Sequence, residues 1–547
     1  MSREYSVIRS VLRNPTHLSS RSISIDTRAL AIFRISVALL VIADIFLRAR
    51  NFSFLYTEDG VVPQELAMRM AADNAFSIYY FTTSTPVIAA LFALTVLIAL
   101  QLLVGYKTRL ATIMTFLLVI SLDHHNPLVL SYADVLFRFL LFWAIFLPLG
   151  ERWSIDAVHR NRGPRSAITS LASAAILLQI VYMYFFNGLH KTESALWTGG
   201  EATVLIMGLD NTTFLLGEFT RNFPTLLQYG GLAWYYMLLF SPLLLVLRGW
   251  ARTAFVAMFM GGHLSFALTV RIGAFPYVAL AGLVLFLQTP FWNGVERTTG
   301  SLLARSRFAT ARTDSARTAT DRSVPARLES RLVHVAARIP SFRPDFRNPR
   351  TAEFLSGVRT AVYTVAVIAA VVSILVVPAL SHAPIAGTID EDHEDRIDDA
   401  ASIVNVDQPD WTVFAPHPRT VDRYYVFPAT TENGENLDVY SDRPLTDDRP
   451  YEELQRQFGT YRERFYMSSV RRGGPNDVVA ETLAEYLCEN SAENLTHVNM
   501  YYVVEDVTLE TIDDHEERDS ERRPIYRHGC DGNDPTEIEF PDDAGDG

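Results

Sequence analysis

The stretch "AITSLASAAILLQIVYMYFF", residues 167–186, contains no charged side chain. A helix of about 20 apolar residues can cross a hydrocarbon core of about 30 Å. Runs of similar character begin at Pro86, Leu227, Ala274 and Val362. This recurrence predicts a polytopic α-helical membrane protein, with about nine spans when the shorter apolar runs are included.

Basic residues concentrate in alternate loops between these runs. They occur in the N-terminal segment, in "GYKTR" (105–109), in residues 152–165, in "RGWAR" (248–252) and throughout residues 293–350. Short cytoplasmic loops carry an excess of Lys and Arg. We therefore expect a multi-pass protein of the cell membrane, with its N-terminus in the cytoplasm and its C-terminal domain outside.

The alternation of apolar and charged segments predicts five regions. They are a cytoplasmic segment 1–28, a membrane domain 29–292 of about eight spans, an Arg-rich cytoplasmic loop 293–358, a last span 359–380, and an extracytoplasmic domain 381–547. We expect the Arg-rich loop to be disordered and to lie near anionic membrane lipid. Its arginines are interleaved with Ser, Thr, Ala and Pro and it lies between membrane spans, so we expect no nucleic acid partner.

The C-terminal region is strongly acidic. From His382 onward the chain has 40 Asp and Glu residues against 14 Arg and no Lys. Many surface carboxylates keep a protein soluble, and this composition is typical of a salt-adapted, halophilic protein. An acidic linker region is the alternative interpretation.

Patterns within this region predict an α+β domain. The segments "DWTVFAP", "YYVFPA" and "HVNMYYVVEDVTL" have the β-branched and aromatic content of strands, whereas "YEELQRQFGTYRERFYMSS" and "VVAETLAEYLCE" indicate helices. Cys488 and Cys530 are the two cysteines of the chain. Whether they pair depends on a distance that sequence does not contain, so their pairing stays open at this point.

Charged residues also interrupt the apolar runs. Arg34 and Asp44 lie in the first run, and Asp134 and Arg138 have the i, i+4 spacing of a helical ion pair. Charges within spans usually face the interior of a helix bundle. We expect each pair to be neutralised internally.

Three histidines stand at positions where a polar side chain is costly. His124 and His125 are adjacent, so their side chains point about 100° apart on a helix, and we expect no metal site there. A proton-handling or hydrogen-bonding role remains open for both. His263 follows Gly261 and Gly262, which permit a close helix contact. It either serves a ligand or is an interior histidine satisfied by one or two partners.

The stretch "FFNGLHKTESALW", residues 185–197, contains one of only two lysines among the 48 basic residues, Lys191; the other is Lys107. A guanidinium cannot give up its proton in a protein, whereas a buried lysine can act as a neutral general base. Lys191 lies near the apolar residues Phe185, Phe186 and Trp197. The alternative is a lysine that extends to the lipid headgroups as an anchor.

Five segments together resemble a known family. They are "FRISVALLVIADI", "FLYTEDGVVP", "HHNPLVLSYADVLFRFLLFWAIFLPLG", "YFFNGLHKTESALWTGGEA" and "GGHLSFALTVRIGAFPYVALA". In this order they resemble the HTTM family of membrane proteins, which is related to vitamin K-dependent gamma-carboxylase. The outer segment "PDWTVFAPHPRTVDRYYVFPATTENGENLDVYSD" is similar to the family's segment after the last span.

The resemblance implies an enzyme that uses a reduced naphthoquinone, menaquinol or a vitamin K-like quinol. Lys191 matches the lysine that deprotonates the quinol in the carboxylase, and we assign His263 a catalytic role with it. The reaction would couple quinol oxidation to proton abstraction from, or carboxylation of, a protein or peptide substrate on the outer side. The alternative is a non-catalytic scaffold or carrier whose outer domain binds a partner protein.

We also expect four residues to bind the cofactor. His190 stands where the carboxylase has a second lysine, and His124 or His125 is an approximate counterpart of a carboxylase histidine. These expected cofactor-binding residues are His124, His125, His190 and Trp197.

Overall fold

The computed structural model of the protein describes residues 21–72, 75–160, 162–310, 333–334, 336–339, 349–381, 407–446, 448–473 and 477–541. Residues 1–20 of the predicted N-terminal segment lie outside these ranges. So do residues 311–332, 335 and 340–348 of the predicted Arg-rich loop and residues 382–406 of the predicted outer domain. The disorder expected of that loop falls largely on residues outside the described part.

The chain up to residue 381 folds mainly as helices. Their bounds are α1 Thr27–Ala49, α2 Phe52–Tyr56, α3 Gln64–Met70, α4 Thr85–Val104, α5 Thr108–His125, α6 Tyr132–Ile145, α7 Ile155–Val158, α8 Leu171–Lys191, α9 Ala195–Gly199, α10 Glu201–Gly208, α11 Gly217–Arg221, α12 Pro224–Leu239, α13 Leu243–Val246, α14 Gly249–Thr269, α15 Phe275–Leu283, α16 Thr289–Thr310, α17 Pro349–Val371 and α18 Val377–Ser381. A short antiparallel pair, β1 Ile25–Asp26 and β2 Ala167–Ile168, joins the starts of α1 and α8.

Helix α8 begins at a reciprocal serine cap. The Ser170 hydroxyl accepts the Ser173 N–H at 3.1 Å, and the Ser173 hydroxyl accepts the Ser170 N–H at 2.8 Å. This arrangement satisfies two backbone donors at the helix start. The apolar run then continues without a break to Lys191, which is the last residue of the helix.

By length and composition, four helices of the described residues can cross a membrane. They are α1, α4, α8 and the helix over Gly357–Ala379. A fifth span is possible if Phe275–Phe286 and Thr289–Thr299, which meet at a bend of 99°, count as one. Membrane insertion is therefore supported. The count of nine spans stays a prediction, because α6 and α12 have only 14 and 16 residues.

The buried charges pair differently from the sequence expectation. Asp44 accepts from Arg48 at 2.8 Å and from Arg462, in the C-terminal region, at 2.6 Å. Arg462 also lies 2.7 Å from Asp134. Asp44 and Asp134 are therefore neutralised inside the protein, as expected, but their partners are Arg48 and Arg462 instead of Arg34 and Arg138.

The two remaining arginines have other partners. Arg34 donates to four backbone carbonyls, including Trp153 O at 2.7 Å, because α1 packs against the loop after α6. Arg138 lies 3.5 Å from Asp123. Asp134 and Arg138 have the i, i+4 spacing, but each pairs with a residue on another element.

The C-terminal region is rich in β-structure and also holds two helices. Its elements are β3 Val421–Val426, β4 Pro428–Thr431, β5 Asn436–Asp438, β6 Arg443–Pro444, α19 Tyr461–Arg472, α20 Val478–Asn490, β7 Leu495–Asp506 and β8 Ser520–Gly529. The strands form an antiparallel sheet in the order β3-β7-β4-β5-β6, and β8 pairs with β7 along its other edge. The predicted mixture of strands and helices is present.

The strand predicted at "DWTVFAP" is wrong. Residues 409–416 contain no strand, and Trp411 and Phe414 have φ angles of 52° and 51°. Non-glycine residues rarely adopt this left-handed conformation, which is incompatible with an extended strand. We call residues 411–414 the cap segment, since they lie against the end of α8.

Cys488 and Cys530 form a disulfide, which settles the pairing that sequence left open. The bridge joins α20 to the end of β8 across 42 residues of sequence. Closing a loop of this length lowers the entropy of the unfolded chain, for a stabilisation of about 4 kcal/mol.

Replacing both cysteines with serine, Cys488→Ser with Cys530→Ser, is expected to lower the free energy of unfolding by about 4 kcal/mol. Thermal unfolding of the purified protein under oxidising conditions measures the change. Reduced wild-type protein should unfold together with the double variant. Equal unfolding temperatures for the oxidised wild type and the double variant would show that the bridge does not constrain the unfolded chain.

A second buried ion network fixes the sheet onto the helical part. Asp422 of β3 accepts from Arg518 at 2.9 Å and from the backbone N–H groups of Asp210 and Asn211 at 2.7 and 2.9 Å. Arg449 bonds the Asp210 carboxylate at 2.8 Å. The loop after α10 is thus held to the sheet by several charge-assisted hydrogen bonds.

Candidate functional site

One face of α8 presents polar groups to a cavity. Tyr184, Asn187 and Lys191 are spaced at intervals of three and four residues, so they share a face of the helix. Gly188 lets α12 approach closely, because a methyl group there would lie 2.9 Å from Leu239 N. The close helix contact and the shared face together direct Lys191 toward the cavity.

The cavity has a volume of about 690 Å³ and is bounded by α8, α10, α11, α12, α14 and the cap segment. Its walls are mainly apolar and aromatic, with Trp234, Phe266 and Phe275 among them. Lys191 and Asn187 supply polar groups at the cap segment's end of the cavity. Ligand sites are typically cavities of about 300–1,000 Å³ with apolar walls and a few placed polar groups.

Lys191 is 2% exposed and contacts the cap segment directly. Its Nζ donates to Val413 O at 2.7 Å and to Phe414 O at 3.1 Å. The same nitrogen lies 4.0 Å from the centre of the Trp197 ring. Carbonyl acceptors and an indole face both stabilise an ammonium group.

The cap segment is held at several further points. Asn187 Nδ2 donates to Trp411 O at 2.7 Å and to Val413 O at 3.0 Å, and Trp197 Nε1 donates to Phe414 O at 2.8 Å. These bonds use backbone carbonyls that the positive φ angles at Trp411 and Phe414 turn toward α8. Backbone strain of this kind costs of order 1–3 kcal/mol per residue and often marks a functional site.

His263 lies behind the cavity wall. It is fully buried, and its Nε2 is 2.6 Å from the Tyr184 hydroxyl, which lines the cavity. The rings of Trp234 and Phe266 make edge-to-face contacts with the imidazole, at centroid distances of 5.3 and 6.0 Å. The histidine is therefore connected to the cavity through Tyr184 and does not line it itself.

The other expected site residues lie apart from this cavity, except for Trp197. His124 Nδ1 is 2.8 Å from Phe76 O, and His125 Nε2 is 3.1 Å from Tyr56 O. Neither histidine lines the cavity, and neither does His190, whose Nδ1 lies 3.8 Å from Glu193 on the outer surface of the helix end. Of the expected residues, Lys191 and Trp197 come together at the cap segment.

Sequence reasoning missed Asn187, Tyr184 and the cap segment. Asn187 and Tyr184 precede Lys191 by four and seven residues, so helical periodicity alone could have placed them on its face. The cap segment could not be found in this way, since it contributes backbone carbonyls from more than 200 residues away. Every residue has a backbone carbonyl, so a sequence pattern cannot indicate which carbonyls contribute to a site.

Within the described ranges, no group of three or more His, Cys, Asp or Glu side chains could hold a metal ion. The polar groups at the cavity include an amine, an amide, a phenol and the hydroxyls of Thr203, Thr220 and Ser265, which suit an organic ligand with oxygen atoms.

Comparison with known proteins gives one result. Residues 23–292 match the family model of the HTTM domain. This range includes α8, Lys191, Tyr184 and His263, whereas the cap segment lies outside it. No curated protein and no solved structure matches the chain. The resemblance to the HTTM family that was read from the sequence is confirmed over residues 23–292, and the chain carries an HTTM domain there.

Proposed function

We propose that the cavity at Lys191 binds a reduced naphthoquinone and that Lys191 accepts a proton from a ring hydroxyl of that ligand. The HTTM domain is found in vitamin K-dependent carboxylase-like membrane proteins. The observation that carries the proposal is the placement of a buried lysine at an apolar, aromatic cavity of about 690 Å³. Oxidation of the deprotonated quinol by oxygen would be coupled to proton abstraction from, or carboxylation of, a substrate on the outer side.

The residues present fit such a ligand. The walls include Trp234, Phe266 and Phe275, whose flat rings suit an aromatic ring system. Exposed Phe219 and Leu226 line the cavity where it meets the outer surface of the helices, so an isoprenoid tail could extend between them toward lipid. A reduced naphthoquinone would supply an ionisable hydroxyl and the electrons for reduction of oxygen.

The contacts of Lys191 bear on how it could act as a base. Val413 O and Phe414 O hold two of the ammonium hydrogens, and Trp197 covers the charge. Lys191 can accept a proton only in its neutral form, whose two remaining hydrogens can still be donated to Val413 O and Phe414 O. The cap segment keeps bulk water from the amine, since Lys191 is 2% exposed.

The same contacts favour a second candidate function, a non-catalytic carrier or scaffold. Lys191, Asn187 and Trp197 all bind cap-segment carbonyls, as they would if their role were to clamp the C-terminal region onto α8. In this case the cavity would hold an apolar ligand without chemistry. A clamp needs only a positive donor, so arginine could replace Lys191; a base cannot be replaced in this way.

Filling the cavity tests ligand binding. Ala233 lines the cavity on α12, and Ala233→Trp is expected to weaken binding of menadiol, a reduced naphthoquinone, at least about tenfold because the indole occupies the ring site. Ala90→Trp is the matched control, since Ala90 is an exposed residue of α4 that does not line the cavity. Equilibrium dialysis without oxygen measures both affinities. Absence of saturable wild-type binding, or equal affinity in the two variants, would contradict the proposal.

The proposal includes a topology with the C-terminal region outside the cell. The Thr27 hydroxyl at the start of α1 donates to Arg165 O at 2.7 Å, and Arg28 bonds Asn293 at 3.0 Å, so basic segments meet at that end. Arg462 contacts Asp44 near the other end of α1. The basic loops and the C-terminal region thus lie at opposite ends of this helix, as the positive-inside rule requires.

Thiol labelling of intact cells tests this topology. The native cysteines are bonded to each other, so Glu517→Cys adds the one free thiol of the chain at an exposed site of the C-terminal region. A membrane-impermeant maleimide is expected to label this variant in intact cells. Arg297→Cys, on the exposed surface of α16, should react only after permeabilisation. The reverse pattern of labelling would show that the C-terminal region lies in the cytoplasm, which contradicts the proposed topology.

A further inference from the structure

Two arginines, Arg419 and Arg423, lie beside the cap segment, and two more, Arg464 and Arg271, lie near them. Arg419, Arg423 and Arg464 belong to the C-terminal region, and Arg271 comes from the loop after α14. Burial, together with the neighbouring charges of Arg464 and Arg423, lowers the pKa of Arg419 to about 9. Arg464 Nη1 donates to Arg271 O at 2.9 Å, which joins the two sides of the cluster.

None of these four guanidinium groups makes an ion pair with any residue that the structure describes. The nearest acids already have other partners. Asp422 points to the opposite face of β3 from Arg423, because side chains alternate along a strand, and it binds Arg518. Glu463 accepts the Gly459 N–H at 2.9 Å.

This lack of acidic partners contrasts with the composition of the region. Asp and Glu outnumber Arg by 40 to 14 from residue 382 onward. Mutual repulsion among guanidinium groups is unfavourable in the folded protein unless an anion offsets it. Among the described residues no acid forms an ion pair with the cluster, so an oxyanion bound there would offset its positive charge.

A groove lies directly over two of these arginines. It has a volume of about 460 Å³, and its lining includes Arg419, Arg423, Thr412, His417 and Thr420. Arg419 Nε donates to Val421 O at 2.8 Å, but its Nη2 is buried without a hydrogen-bond partner among the described residues. The same is true of Arg423 Nε. The guanidinium groups of Arg419 and Arg423, together with the hydroxyls of Thr412 and Thr420, give the groove a lining of hydrogen-bond donors.

We propose that this groove binds a ligand through an oxyanion, either a carboxylate or a phosphate, which Arg419 and Arg423 hold with Thr412 and Thr420. The planar guanidinium fork matches the geometry of both kinds of oxyanion. Phe414 lines this groove and also the cavity at Lys191, so the two sites are adjacent at the cap segment. This site requires no quinone and no proton transfer, and it stands independently of the proposed function.

Isothermal titration of the purified full chain tests the site, with inorganic phosphate and succinate as separate probes in a buffer of low chloride. Wild-type protein is expected to bind at least one probe saturably. Arg419→Gln and Arg423→Gln should each weaken that binding about tenfold or more, since each removes charge-assisted hydrogen bonds. Arg456→Gln is the control, because Arg456 carries the same charge on the exposed surface and pairs with Glu453.

The two probes distinguish the ligand class. Binding of phosphate alone identifies a phosphate-bearing ligand, and binding of succinate alone identifies a carboxylate. Failure of both probes to bind saturably overturns the proposal, as does a loss of affinity in Arg456→Gln equal to that in the other two variants. Thermal unfolding confirms that the variants are folded. If Arg419→Gln does not fold, Arg423→Gln and Arg419→Lys decide the result, with Arg419→Lys expected to bind more tightly than Arg423→Gln.

Discussion

Replacing Arg462 with leucine is expected to lower the free energy of unfolding by about 3–5 kcal/mol. Arg462 reaches from α19 into the helical part, where its Nη2 lies 2.6 Å from Asp44 Oδ1 and 2.7 Å from Asp134 Oδ1. Its Nη1 donates to Val129 O at 3.1 Å. Leucine would leave the two carboxylates with one arginine fewer in a site that excludes water, and a buried charge without full compensation is strongly destabilising.

The loss of stability in Arg462→Leu is expected to come mainly from charge imbalance in this cluster. Arg48, Arg138 and Arg462 face Asp44, Asp123 and Asp134 in a set of contacting residues, so three positive and three negative charges compensate one another. Removing one arginine leaves a net negative charge. A second change, Asp44→Asn, restores neutrality and should recover a large part of the lost stability.

Thermal and chemical unfolding of the purified protein measure these changes. Arg456→Leu is the matched control, because its ion pair with Glu453 is exposed and contributes about 1 kcal/mol or less. If Arg462→Leu unfolds together with Arg456→Leu, then the cluster does not hold the C-terminal region to the helices. Recovery by Asp44→Asn would separate a charge effect from the loss of packing.

The sequence predicted those features that depend on local pattern. Apolar runs marked α1, α4 and α8, although Arg34 and Asp44 interrupt the first of them, because length and hydrophobicity define a helix that can cross a membrane. The β-branched segment around Tyr501 became the central strand β7, and "VVAETLAEYLCE" became α20. The shortage of lysine singled out Lys191, which the structure places at the cavity beside Trp197.

Features that depend on distant contacts could not be predicted. The segment "DWTVFAP" has the composition of a strand, but contacts of its carbonyls with Asn187, Lys191 and Trp197 outweigh that preference. Asp134 pairs with Arg462, which lies far along the chain. A buried ion pair is favourable only when its geometry is good, and closeness in sequence does not ensure that geometry. Tyr184 likewise became the partner of His263.

The histidines show the limit of reasoning from residue type. Four were expected at one site, but His124, His125 and His190 lie away from the cavity, and His263 reaches it through Tyr184. Their expected roles in cofactor binding stay predictions. For His263, a hydroxyl partner at 2.6 Å is compatible with an interior histidine and with a proton path from Tyr184 Oη to Nε2.

The central claim is that Lys191 acts as a general base, and its replacement should cause the largest loss of activity. Lys191→Arg keeps a positive donor that can reach Val413 O and Phe414 O, so it preserves a clamp. It cannot release a proton, because a guanidinium stays charged in a protein. General base catalysis contributes about 10²–10⁴-fold to a rate, and we expect Lys191→Arg and Lys191→Ala to lose activity to this extent.

The most direct measurement is the rate of oxygen consumption by the purified protein in the presence of menadiol. Lys107→Arg is the control, since Lys107 is the other lysine and is exposed. The account predicts that wild-type protein and Lys107→Arg consume oxygen at equal rates, whereas Lys191→Arg and Lys191→Ala are both inactive although they bind menadiol and unfold cooperatively. A Lys191→Arg protein that oxidises menadiol at the wild-type rate would contradict the assignment of Lys191 as the base.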